Sequence, residues 1–127
     1  MNKLFVLLLI LGLLSLAACS AKTQSLQMFY TDEGIRSVDT FVITDGTSGF
    51  SRTITEQEEI DEFLKLINDI EFSPLEDQSK REGWRYTITL YDGDNKFEFT
   101  LNQIGEVYYD SKPDIFPIVN GYYENLE

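Results

Sequence analysis

The chain has no histidine and only one cysteine and one tryptophan in 127 residues, and its 10 basic residues are outnumbered by 22 acidic ones. Without histidine it lacks the usual general base near neutral pH and the usual nitrogen ligand for zinc or copper. A single cysteine can form neither an internal disulfide nor a multi-thiolate metal site. These absences exclude histidine-dependent hydrolases and zinc hydrolysis, and we expect a non-catalytic protein without a metal or cofactor.

Basic residues are also too scarce and too scattered for nucleic-acid binding. The formal net charge is −12 at pH 7, and the longest basic cluster is the pair Lys80-Arg81. Such a charge repels nucleic-acid phosphates and anionic lipid headgroups alike. We therefore expect no nucleic-acid partner, and an acidic surface that favours solubility.

The only long apolar run lies at the beginning of the chain, from Leu4 to Ala18, directly after Lys3. A basic residue, an apolar stretch and small residues at its end form the layout of an export signal. The run stops short of the roughly 20 apolar residues that a transmembrane helix needs. Cys19 follows where cleavage is expected, and in an ordinary secreted protein it would remain a free thiol.

The segment Leu16-Ala17-Ala18-Cys19 resembles the lipobox of bacterial lipoprotein precursors. In that family the cysteine thiol receives a diacylglyceryl group, and a dedicated signal peptidase cuts just before it. The resemblance implies a signal peptide over residues 1–18, peptidase recognition through Leu16, Ala17 and Ala18, and a lipidated N-terminus at Cys19. The expected location is the extracytoplasmic face of the cell membrane, with the lipid on Cys19 as the attachment.

The rest of the chain has the length of one domain. Residues 19–27 are polar and lack apolar periodicity, which predicts a lipidated tether, and residues 28–127 are predicted to form a single domain. The chain has nine Phe and seven Tyr, and these side chains bring large buried areas. With its only cysteine committed to lipid, the domain must be stabilised by packing. In layout it looks like small, mostly uncharacterised domains that follow lipoboxes in Gram-positive bacteria.

The first half of the domain predicts a hairpin. Residues 35–44 are rich in β-branched side chains, the segment Asp45–Gly49 offers turn residues, and residues 50–53 form a second extended run. An earlier strand is predicted over Leu26–Tyr30.

A helix is predicted next. Thr55-Glu56-Gln57-Glu58 matches a capping box, in which a Thr hydroxyl and a Glu carboxylate satisfy amide groups at a helix start. The following apolar residues recur at the spacing of one helical stripe, namely Ile60, Phe63, Leu64 and Ile67. This helix must bury its stripe on a sheet.

The second half predicts an antiparallel meander. Apolar and polar residues alternate from Gly83 to Tyr91, with Trp84 on the buried face, as in a strand with one buried side. Asp92–Asn95 then supplies turn residues. A return strand around Phe97–Leu101 and a shorter run over Glu106–Tyr109 follow.

The C-terminal segment fits a short helix, with Asp114 as its N-cap and Pro117 in its first turn. The dipeptide Asn120-Gly121 favours a hairpin instead, and this alternative stays open. The whole order is strand-strand-helix-strand-strand-strand and a short C-terminal helix. We predict an α+β fold with one main helix packed on an antiparallel sheet.

Candidate sites are few. Not all of the adjacent tyrosines Tyr108, Tyr109, Tyr122 and Tyr123 are expected to be buried, because neighbouring residues on a strand or helix point in different directions. Together with Trp84, they are the predicted contact residues. The expected function is a non-catalytic interaction or sensing module with an envelope protein or glycan as partner. The alternative is a binding protein for an envelope glycan or a cation such as calcium. Asp92–Asn95 offers oxygen ligands for calcium, but its residue types favour a turn. A carboxylate-only enzyme would need two acids facing one cleft.

Overall fold

Eight strands and three helices lie in the part of the chain that a computed structural model describes, residues 22–80 and 83–126. The strands are β1 (Gln24–Ser25), β2 (Thr40–Asp45), β3 (Ser51–Ile54), β4 (Glu71–Pro74), β5 (Tyr86–Asp92), β6 (Asn95–Thr100), β7 (Gln103–Ile104) and β8 (Val107–Lys112). The helices are α1 (Leu26–Asp32), α2 (Gln57–Ile67) and α3 (Ile115–Glu124). The predicted signal peptide (1–18) with Leu16, Ala17 and Ala18, and the predicted lipidation site Cys19, lie outside the described residues.

The strands form one antiparallel sheet in the order β1-β4-β8-β7-β6-β5-β2-β3. The chain therefore has an α+β fold in which the sheet dominates. The sheet is larger than predicted, because the sequence does not predict β1, β4 and β7. Each of these strands has two to four residues, too few to display an alternating pattern.

The predicted hairpin and meander are confirmed, with changed boundaries: β2 begins at Thr40 rather than at Ile35, and β8 extends to Lys112 rather than ending at Tyr109. β2 and β3 pair directly, and β5, β6, β7 and β8 follow one another in the sheet. Asp92 lies opposite Asn95, so the segment between them is the predicted turn. β5 begins at Tyr86 rather than at Gly83, because Gly83 has a φ of 83° and leaves the extended conformation.

Helix α2 is confirmed, but its predicted capping box is wrong. The N-cap residue is Glu56, whose side chain makes no capping hydrogen bond, and Thr55 lies outside the helix. Of the predicted stripe, Ile60, Phe63 and Ile67 are fully buried and Leu64 is half-buried.

The strand predicted over Leu26–Tyr30 is wrong, because these residues belong to helix α1. Ser25 caps this helix by accepting a hydrogen bond from the Met28 amide (3.3 Å). Leu26 and Tyr30, one helical turn apart, are both buried. Since β1 pairs with β4 and Leu26 is buried, residues 24–27 lie within the fold, and the predicted tether over 19–27 overlaps the fold by these four residues.

The C-terminal segment forms the predicted helix, α3, and the hairpin alternative is wrong. Asp114 is the N-cap and accepts a hydrogen bond from the Phe116 amide (3.1 Å). Pro117 lies in the first turn, where its missing amide does not interrupt the helical hydrogen bonds.

The two faces of the central sheet differ in chemistry. Residues directly opposite one another share a face, and on one face the register aligns two apolar rows, Phe41-Leu90-Phe97 and Ile43-Ile88-Phe99. These six side chains are buried. On the other face the register aligns Thr44-Thr87-Thr100 and Val42-Thr89-Glu98. We call them the core face and the outer face.

Candidate functional site

Trp84 lies in the loop before β5 and is 46% exposed, so the prediction that it sits on the buried face of the strand is wrong. Its indole ring lies against the backbone of Gly46, since a Cβ atom placed on that glycine would be 2.7 Å from Trp84 Cε3. The Gly46 amide also donates a hydrogen bond to the carbonyl of Arg85 (2.6 Å). The turn after β2 therefore supports the indole, while nearly half of its surface remains accessible.

Trp84 lines two surface grooves. Groove A has a volume of about 350 Å³ and is lined by Gly83, Trp84, Arg85, Leu101, Asn102, Tyr109, Asp110, Ser111, Asp114 and Phe116. Groove B has a volume of about 530 Å³ and is lined by Thr44, Trp84, Thr87, Glu98, Phe99, Thr100, Gln103 and Gly105. Ligand sites in proteins fall in the range of about 300–1,000 Å³, so both grooves are of a size to hold a small ligand or part of a larger one.

Groove B follows a row of polar side chains on the outer face. Thr44 lies opposite Thr87, Thr87 opposite Thr100, and Thr100 opposite Gln103. Four strands each contribute one residue. Because neighbouring strands lie about 4.8 Å apart, the row is about 14 Å long.

Groove A combines exposed aromatic side chains with carboxylates. Phe116 is 39% exposed and lines this groove together with Trp84. The two acids Asp110 and Asp114 line it as well, so two carboxylates share one groove, as a carboxylate-only enzyme would require. However, Asp114 accepts the hydrogen bond from the Phe116 amide and so has a structural role as the cap of α3. Phe116 was not among the predicted contacts, although it lies off the buried face of α3, which contains Ile115 and Val119, and this position is a signal for exposure.

Arg85 provides the positive charge of groove A. Its Nε lies 3.8 Å from Asp45 Oδ1, and its guanidinium group lies 5.3 Å from the centre of the Tyr86 ring. The backbone amide of Thr47 (2.9 Å) is the main cause that lowers the pKa of Asp45, and the charge of Arg85 lowers this pKa further. The turn that supports Trp84 thus contains an ionised aspartate at neutral pH.

The predicted contacts Tyr108 and Tyr109 are both buried, 7% and 6% exposed, although Tyr109 contributes its small exposed area to the lining of groove A. The Tyr109 ring packs against the rings of Phe29 (5.3 Å) and Phe72 (6.2 Å), and this burial raises its pKa. The backbone of Tyr108 exchanges two hydrogen bonds with the Gln78 side chain, each of 2.9 Å. Tyr108 and Tyr109 are adjacent on β8 and their side chains leave opposite faces of the strand, yet both are buried. The expectation that not all four tyrosines are buried is met by Tyr122 and Tyr123.

Tyr122 and Tyr123, predicted as further contacts, are half-buried at the rim of the core. The Tyr122 ring lies 4.9 Å from that of Phe63, and the Tyr123 ring lies 5.2 Å from that of Tyr86. The Arg52 guanidinium group lies over the Tyr123 ring at 5.1 Å. Of the five predicted contact residues, Trp84 is therefore the one that is exposed.

The acidic turn after β5 has a structural role. The Asp92 carboxylate accepts hydrogen bonds from the amides of Arg36 (2.8 Å) and Ser37 (3.0 Å). The Asp39 carboxylate in turn accepts a hydrogen bond from the Gly93 amide (2.7 Å). These bonds tie the β5–β6 turn to the loop before β2. Within residues 22–80 and 83–126, no group of three or more acidic or cysteine side chains is placed to hold a metal ion.

We expect stability to fall in acid because of this turn. The amides of Arg36 and Ser37 lower the pKa of Asp92 in the folded chain. Its stabilising contribution is therefore complete above the unfolded value of about 3.9 and is lost as the pH falls through the lower folded value. Urea denaturation between pH 7 and pH 2 should show a smaller acid-induced loss for Asp92→Asn than for the natural chain. An acid-induced loss as large in Asp92→Asn as in the natural chain would contradict this role of the turn.

Comparison of the chain with protein-family models, with curated proteins and with solved structures gives no match. None of the helices within the described residues is long and apolar enough to cross a membrane. The function must therefore be argued from the chemistry of the site.

Proposed function

We propose that the protein is a membrane-anchored extracytoplasmic lipoprotein whose α+β domain is a non-catalytic interaction or sensing module, with Trp84 at its contact surface. The observation that carries the proposal is that Trp84 is 46% exposed and lines both grooves. An exposed tryptophan places a large apolar area in water, and aromatic residues are enriched at recognition surfaces. Covering the indole with a partner would remove that area from solvent.

We also propose that the main helix α2 lies across the core face of the sheet. The Phe63 ring of α2 stacks on the Phe41 ring of β2 at 4.3 Å with an interplanar angle of 15°, which supports this arrangement. With a helix layer on the core face, the outer face, where groove B lies, is the face that would receive a partner.

The anchor is proposed to be the lipid on Cys19. Each buried methylene contributes about 0.8 kcal/mol, so two or three long acyl chains hold a protein firmly at a membrane. The net charge of −12 works in the opposite direction, since anionic headgroups repel an acidic domain. The lipid would hold the domain near the membrane while this repulsion keeps its surface accessible.

A substitution at Cys19 tests the anchor. In a bacterial host, Cys19→Ala should abolish fatty-acid labelling and leave an uncut precursor, because the lipobox peptidase acts on the lipidated cysteine. Mass spectrometry of the purified product reports both changes. Ser20→Ala is the matched control and should be labelled and cut like the natural chain. Normal processing of Cys19→Ala would contradict the lipoprotein assignment.

A pull-down from an envelope extract tests the binding function. The full lipidated chain is compared with Trp84→Ala and with Phe50→Ala, which removes an aromatic side chain that is 72% exposed and lines neither groove. We expect at least one component to be retained by the natural chain and by Phe50→Ala but lost with Trp84→Ala. Identical capture by all three chains would contradict a contact surface at Trp84.

A further inference from the structure

We infer that groove B binds a neutral glycan, with Trp84 stacking on a sugar ring and the polar row Thr44, Thr87, Thr100 and Gln103 hydrogen bonding to the sugar hydroxyl groups. The inference rests on the proposed binding function and adds the chemical class of the ligand. It joins two features of groove B, an accessible indole and a straight row of side chains that can both donate and accept hydrogen bonds.

The polar row keeps unused hydrogen-bonding capacity. In the described part of the chain, the side chains of Thr87 and Gln103 make no hydrogen bond to another residue. The Thr100 hydroxyl donates to Asn102 Oδ1 (3.2 Å), so its oxygen can still accept. Sugar hydroxyl groups also donate and accept, and they match a surface of this kind better than groups that only accept.

Glu98 adds a charged acceptor to the same groove. Its Oε1 accepts a hydrogen bond from the Thr89 hydroxyl (3.0 Å), and this bond orients the carboxylate. The second oxygen is left to accept from a ligand, and hydrogen bonds to a carboxylate are stronger than those to neutral groups. A sugar hydroxyl is a suitable donor for it.

Charge and backbone pairing select a neutral glycan over other polymers. Among the described residues, Glu98 is the only charged side chain that lines groove B, and the whole chain carries a net charge of −12, so an anionic polymer would be repelled. An extended peptide cannot add to the sheet here, because β2, β5 and β6 each already pair on both sides. The row of about 14 Å is longer than one sugar ring, which favours an oligosaccharide.

The test uses Trp84 itself as the probe, since the chain has no other tryptophan. The full lipidated protein, kept in a detergent without a sugar headgroup, is titrated with neutral hexasaccharides of N-acetylglucosamine, glucose and mannose, and with poly(glycerol phosphate) as an anionic polymer. We expect a saturable change in tryptophan emission with at least one neutral hexasaccharide and a weaker response to the anionic polymer.

Variants then place the binding in groove B. By calorimetry, Thr87→Val should weaken binding of the responding hexasaccharide by about 3- to 10-fold, because one hydrogen bond is lost at nearly constant volume. Trp84→Ala should weaken it at least about tenfold. Thr53→Val, on the same face but outside groove B, is the matched control and should bind like the natural chain. Phe116→Ala, which alters groove A alone, should also bind normally.

Three results would overturn the inference: no saturable emission change with any of the neutral hexasaccharides, a stronger response to poly(glycerol phosphate), or equal affinities for Thr87→Val and Thr53→Val below that of the natural chain. If the envelope pull-down still depends on Trp84 in any of these cases, the binding function stands and the glycan assignment falls. If the pull-down also loses its dependence on Trp84, both proposals fall.

Discussion

Replacing Phe63 by aspartate should destabilise the domain by about 5 kcal/mol or more, which is comparable with the 5–15 kcal/mol that typically separates folded from unfolded domains. Phe63 is fully buried, and its ring contacts the rings of Phe41 (4.3 Å) and Tyr122 (4.9 Å). Aspartate at this position removes the aromatic contacts and leaves an unpaired carboxylate in an apolar environment. The expected result is a domain that is largely unfolded under native conditions.

Leu66→Asp is the matched control for this substitution. Leu66 lies on the same helix but is 50% exposed, so the new carboxylate remains in water. The new charge itself should change the free energy of unfolding by no more than about 0.5 kcal/mol, and the lost apolar contact of Leu66 adds to this. Urea denaturation followed by circular dichroism measures both variants, and similar midpoints for the two would mean that the buried stripe of α2 is assigned incorrectly.

Helix α2 shows which features of the fold can be predicted from the sequence. The spacing of Ile60, Phe63 and Ile67 is a local property of the sequence, and burial of one helical face follows from it. The start of the helix is less predictable, because a capping box requires a particular backbone geometry and not only the residue types at Thr55 and Glu58. In the structure the chain enters the helix one residue later, at Glu56.

Helix α1 could not be predicted from its own residues. Its sequence contains β-branched and aromatic residues and has no strong helical pattern, yet it is held by contacts that are distant in the chain. The Leu26 amide donates to the carbonyl of Ile70 (2.9 Å), and the Gln27 amide donates to that of Asn68 (3.1 Å). These hydrogen-bond partners lie more than 40 residues away in the chain, so the sequence of residues 26–30 alone does not predict the helix.

The candidate site also has one residue that the sequence predicted and others that it did not. Trp84 was predicted as a contact that acts together with exposed tyrosines, but the alternating pattern also predicted its burial. The polar row of groove B was not predicted, since it exists only through the pairing of Thr44 with Thr87 and of Thr87 with Thr100. Sheet register between distant strands brings the hydroxyl groups together, and no short motif encodes it.

Replacing Gly46 by alanine should displace Trp84 and destabilise the domain by about 1–3 kcal/mol. The added Cβ would meet the carbonyl oxygen of Trp84 and would lie 2.7 Å from Cε3 and 2.9 Å from Cζ3 of its ring. The backbone of Gly46 cannot simply move away, because its amide donates to the Arg85 carbonyl at the entry of β5. The indole and the loop before β5 must therefore shift together.

Trp84 reports this displacement directly, because the emission of the only tryptophan should move toward that of a fully solvated indole in Gly46→Ala. Gly121→Ala is the matched control: apart from its chain neighbours and the backbone of its own helix, no heavy atom lies within 4 Å of the added Cβ, and alanine favours the helix α3 by about 1 kcal/mol. It should be neutral or stabilising, with unchanged emission. Unchanged emission and stability in Gly46→Ala would mean that the turn after β2 does not hold the indole. If instead the emission shifts while thermal unfolding retains a single transition, the turn sets the position of the indole that lines both grooves without being required for the fold.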